Sequence, residues 1–135
     1  MNIWISCVLF YLGGAGYMTL EFLWRGRSHG SMFLLGGICF TAIGKLYRFL
    51  RRLPVLLRGI CCGFFITVLE LLTGLIVNRH HTVWDYRHQP LNYKGQICPL
   101  YTCFWTLLSF LFMGLPFRAD AKIRCVKEKQ KALYK

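Results

Sequence analysis

Four long apolar stretches, parted by clusters of basic and polar residues, set the pattern of this chain. Residues 3–20, 31–44, 59–69 and 95–117 contain no Asp, Glu, Lys or Arg. A helix needs about 20 apolar residues to cross about 30 Å of hydrocarbon, so the pattern predicts an all-α, four-helix transmembrane bundle. Its spans fall at about 3–23, 31–50, 54–77 and 97–117. The first and fourth meet the length directly. The third begins at Pro54, a residue suited to a first helical turn, and reaches full length only by carrying Glu70 inside it. The second is short unless Lys45 and Arg48 snorkel to the headgroups while the helix runs on to Leu50, with a re-entrant hairpin as the alternative.

Composition narrows the class. At 135 residues with 56% hydrophobic and 16% aromatic content, the chain is too apolar for a soluble domain of its size, and its apolar residues come in blocks. It reads as a multi-pass membrane protein with one bundle domain over 1–117 and a basic tail over 118–135. The first run lacks a basic leader region and a small-x-small cleavage site, so it is expected to be a retained helix and not a signal peptide.

Charge then orients the bundle. With four spans, twelve basic residues fall on the side of the termini and five on the side of the other two loops. The positive-inside rule places both termini in the cytoplasm, and the net charge of +12 becomes an orientation signal, with no nucleic-acid partner implied. In the tail, Ala119, Ile123, Val126 and Leu133 recur near helical spacing among lysines. That spacing suits a basic amphipathic helix on anionic inner-leaflet lipids, or equally a solvated tail.

Acids are scarce enough to be informative. Of five in the chain, Glu21 and Glu70 sit at the end of or inside predicted spans, where a carboxylate is costly and demands a partner or a cavity. Gly59, Gly63, Thr67, Glu70, Gly74 and Asn78 recur at steps of three or four, giving one small, polar helix face that buries Glu70 against protein. The first span repeats the idea with Gly13, Gly14, Tyr17 and Glu21, and the second with Gly36, Gly37 and Gly44. In this topology both acids lie in the outer half, with Glu70 roughly 13 Å below Arg79 at a rise of 1.5 Å per residue. All four histidines fall on the same side.

Several chemistries are weak on spacing. His80, His81, Asp85 and His88 match no established zinc pattern. Ser28 beside His29 suggests a nucleophile only by adjacency, and no Walker A sequence occurs. No catalytic residue, metal site or cofactor is assigned. The seven cysteines form no CxxC pattern and read mostly as packing residues, Cys98 being open to oxidation without an obvious partner.

The stretch from Trp84 to Cys98 reads as an interfacial cap, with Trp84, Tyr86 and Tyr93 at headgroup level and a turn at Pro90 and Gly95. Glu21, Arg25-Gly26, Glu70-Leu71-Leu72-Thr73-Gly74, Trp84-Asp85-Tyr86, Pro90, Asn92, Gly95, Ile97-Cys98 and Trp105 follow one another over residues 13–115. This series resembles the putative ABC-transporter type IV family of small bacterial multi-pass membrane proteins. Val77 stands where many relatives carry a further acid, and Arg87 where a serine is common. The resemblance implies a bacterial inner-membrane location and a permease-like role.

The leading expectation is a component of a transport complex with an outer polar cavity lined by Glu21 and Glu70. Ligand-binding residues are then Glu21, Arg25, Glu70, Thr73, Asn78, Trp84, Asp85, Tyr86 and Asn92. Expected partners are the bilayer, and a second copy, a separate ATPase or another membrane subunit. The alternative is a structural or regulatory protein that associates through its glycine-rich helix faces. A third reading is a membrane enzyme acting on lipid headgroups with His and Asp as acid and base.

Overall fold

The computed structural model describes residues 3–112 and tail positions 125–126, 129–130 and 132. It is all-helical over the described residues. Four helices follow in order, α1 (Ile3–Arg25), α2 (Gly30–Phe49), α3 (Val55–Val77) and α4 (Pro99–Phe112). The first three are long and apolar enough to cross a membrane, and the described part of α4 is a shorter apolar helix. The second predicted span is thus one continuous helix of 20 residues and not a hairpin. The end of the fourth predicted span, and the tail pattern through Ala119, Ile123 and Leu133, lie outside the described residues.

Local chemistry explains the boundaries. α1 stops at Gly26, whose φ of 69° suits a helix-ending glycine and whose N–H returns to the Phe22 carbonyl at 2.8 Å. His29 caps α2 in an extended conformation, its Nδ1 accepting from the Ser31 N–H at 3.2 Å. Pro54 sits just ahead of the first turn of α3, and Pro99 opens α4, where a missing N–H costs nothing.

Packing runs α1 on α2, α2 on α3, and α3 on α4. Glycine permits the close approaches. A Cβ on Gly36 would lie 2.7 Å from the Gly13 carbonyl, and one on Gly63 would lie 2.7 Å from the Thr106 Cα. The glycine faces of α1, α2 and α3 are therefore spent inside this bundle. Met32, Leu35, Cys39, Cys62, Ile66 and Trp105 form the centre of the core, and Trp4, Leu23, Phe64 and Leu111 face outward. An apolar exterior of this kind is what lipid solvates. The cysteines of the described residues are free, with Cys39, Cys62 and Cys98 buried as packing groups.

The α1–α2 turn at residues 26–29 and the long α3–α4 connection at residues 78–98 lie at one end of the bundle, where the Arg25 guanidinium at the end of α1 reaches the Val83 carbonyl at 3.1 Å. This loop end carries the candidate site.

Candidate functional site

Glu70 is the most deeply placed acid. Its position on the Gly63, Thr67, Gly74 face of α3 turns it toward α4, and it is 2% exposed. Two donors hold it. The Tyr86 hydroxyl donates to Oε1 at 2.9 Å and the Trp105 indole N–H donates to Oε2 at 2.9 Å. Both are neutral side chains, so Glu70 is hydrogen-bonded without being neutralised by an ion pair. Burial, followed by the nearby Glu70 charge, pushes the Tyr86 phenol well above its ordinary range, so it stays protonated and remains a donor.

Each donor is itself fixed by an aromatic partner. Tyr86 stacks on Tyr101 with centroids 4.2 Å apart, and Trp105 stacks on Tyr17 at 5.3 Å. These rings form a wall between Glu70 and a cavity of about 310 Å³. Glu21 and Arg25 from α1 face that cavity, and Trp24, Leu100 and Phe104 border it. Arg25 Nη2 lies 3.4 Å from Glu21 Oε1, and the guanidinium stands 6.0 Å from the centre of the Tyr86 ring. Of the two acids expected on the cavity, Glu21 lines it and Glu70 sits behind Tyr86 and Trp105.

The loop at residues 78–98 is built around Asn78, which is wholly buried at the end of α3. Its Nδ2 donates to the Trp84 carbonyl at 2.6 Å and to Gln96 Oε1 at 3.1 Å, while its Oδ1 accepts from the Val83 N–H at 2.9 Å. Gln96 Nε2 returns a bond to the Asn78 carbonyl, and the Trp84 indole donates to the Gln96 carbonyl, both at 2.9 Å. Asn78, Trp84 and Gln96 thus hold the cap in shape. Asn92 does the same for the outer turn, bonding the Gln89 carbonyl at 2.9 Å and the Gly95 N–H at 3.0 Å.

Of the nine expected site residues, Glu21, Arg25 and Tyr86 line the cavity, Glu70 lies behind its wall, Asn78, Trp84 and Asn92 hold the loop in shape, and Asp85 and Thr73 do neither. Asp85 is clasped by its neighbour Arg87, with Nη2 at 2.7 Å and Nε at 2.9 Å, which holds its carboxyl below the usual carboxylate range. Thr73 is half-buried on α3 and does not border this cavity. His81 turns toward the loop, its Nε2 lying 2.9 Å from the Lys94 carbonyl and 3.5 Å from Gln96 Nε2.

Tyr17, Gln96, Tyr101 and Trp105 were absent from the residues expected at the site. Tyr17 lies on the polar face of α1 that ends in Glu21, and Gln96 is the polar residue just ahead of the fourth apolar run. Nothing in the spacing of Tyr101 or Trp105 separates them from ordinary core aromatics.

With this geometry in place, the comparison with known families is specific. The family model described as putative ABC-transporter type IV matches residues 6–129, which takes in α1 from its second turn, α2, α3, α4 and the loop. No curated protein and no solved structure matches the chain.

Proposed function

We propose, starting from a chain that belongs to the putative ABC-transporter type IV family, that this protein is the membrane-embedded component of a bacterial transport complex. The aromatic cavity at the loop end is its ligand compartment. Glu70 is the observation that carries this reading. A carboxyl group inside a membrane helix is costly and demands polar partners, and here two neutral donors hold Glu70 behind the cavity wall. A packing role would be served by an apolar residue. The loop end faces outward and both termini face the cytoplasm, on the twelve-to-five distribution of basic residues.

Energy must come from elsewhere in such a complex, since the chain carries no Walker A sequence. A separate ATPase subunit on the cytoplasmic side fits, with the basic tail against anionic inner-leaflet lipids. The test is complementation of a host lacking the protein, with growth and solute tolerance as readouts. Wild type restores the deletion phenotype, and Glu70→Gln at equal membrane abundance does not. Full rescue by Glu70→Gln together with Glu21→Gln would falsify the reading.

A further inference from the structure

At the end of the bundle opposite the loop, α2 turns into α3 over residues 50–54. The turn is tight, with the Leu50 N–H on the Leu46 carbonyl at 2.8 Å, the Arg51 N–H on the Arg48 carbonyl at 3.4 Å and the Leu53 N–H on the Leu50 carbonyl at 2.9 Å. Lys45 and Arg48, three residues apart, share a face of α2, and the turn brings Arg51 and Arg52 to the same place. These four cations and Phe49 line one open hollow of about 700 Å³. Arg58 on α3 is engaged separately, its guanidinium 4.7 Å from the centre of the Tyr47 ring, which pins the start of α3 to α2.

Like charges gathered around one hollow repel one another. The acids of the described residues lie elsewhere: Glu21 and Asp85 belong to the loop end, and Glu70 is about 22 Å along α3 from Val55 at a rise of 1.5 Å per residue. Lys45, Arg51 and Arg52 enter neither ion pair of the described residues. The positive-inside rule accounts for basic residues at this end, but not for their convergence on one cavity. Orientation needs only that the charges stay on one side.

We infer that this hollow binds the headgroup of a phospholipid bearing two phosphates, with Lys45, Arg48, Arg51 and Arg52 as its phosphate ligands. Four cations exceed the single charge of a one-phosphate headgroup, and a doubly anionic one answers them better. Arginine suits the task because guanidinium forks hold phosphate oxygens in pairs. Apolar surface beside the cations selects a lipid over a free phosphate. Phe49 lines the hollow while 83% exposed, and Val55 and Leu56 just beyond the turn are 52% and 64% exposed, so acyl chains find cover within a few residues of the charges. Basic pockets at the cytoplasmic ends of membrane helices take such headgroups, and this end meets the inner leaflet in the orientation proposed above. The site is independent of the aromatic cavity at the other end.

The test is native mass spectrometry of the purified full chain in mild detergent, titrated with diphosphatidylglycerol and phosphatidylglycerol, and with inorganic phosphate as competitor. Diphosphatidylglycerol is expected to bind at least tenfold more tightly than phosphatidylglycerol and to resist displacement by inorganic phosphate. Arg51→Gln together with Arg52→Gln weakens it at least tenfold, and Arg79→Gln, which removes a cation at the loop end, leaves it unchanged. Equal affinity for the two lipids overturns the inference in favour of bilayer charge alone. Displacement by inorganic phosphate overturns it in favour of a soluble ligand, and undiminished binding by the double variant overturns it by moving the lipid to the basic tail. Should the double variant fail to fold, Lys45→Gln, at another exposed position, repeats the measurement.

Discussion

Trp105 on α4 donates its indole N–H to Glu70 on α3 at 2.9 Å while its ring stacks on Tyr17 of α1. One side chain thereby joins three helices around a carboxylate. Replacing it by phenylalanine removes the donor together with one of the two fused rings, leaving Oε2 of Glu70 without its partner. Trp105→Phe is expected to destabilise the bundle by about 1–3 kcal/mol, the cost of an unsatisfied buried acceptor. Detergent-titrated unfolding checks this, with Tyr101→Phe as a near-neutral control.

Asn78 is a larger risk to the fold. Asn78→Ala strands the Trp84 carbonyl, the Val83 N–H and Gln96 Oε1 at once. The expected loss is about 3 kcal/mol or more, at the upper end for buried unsatisfied groups. Limited proteolysis should cut the 78–98 loop in this variant and spare it in wild type.

Helix approach gives a paired experiment on glycine. Gly63→Ala drives a methyl group against the Thr106 backbone and should cost about 1–3 kcal/mol as α3 and α4 separate. Gly16→Ala meets open space inside α1 and should hold or raise the thermal midpoint, alanine being the better helix former. Equal behaviour of the two variants would contradict the α3–α4 packing described.

The Asp85–Arg87 pair supplies the pH dependence. Hydrogen bonds from Arg87 depress the Asp85 carboxyl, so its contribution is present above the unfolded value of about 4 and is lost as pH falls through the folded value. The Arg87 Nε–H signal in NMR should therefore be constant from neutral pH down to about 4 and move only below it. Asp85→Asn removes that transition without changing occupancy of the cavity.

Much of this protein was legible as a string. Hydropathy is a local property, and a span is set by the length of an apolar run, so the helices, the depth of Glu70 and the glycine approaches followed from spacing alone. The burial of Glu70 on a small-residue face needed only the helical period. The loop behaved otherwise. Residues 78–98 have no period from which a side chain's direction can be read, so the sequence did not separate Asp85, clasped by Arg87 at the surface, from Tyr86, which turns inward to Glu70. Contacts between distant residues decided the rest. The 35 positions between Glu70 and Trp105 close only when α3 and α4 pack, and that packing places an aromatic wall between Glu70 and the cavity that Glu21 lines.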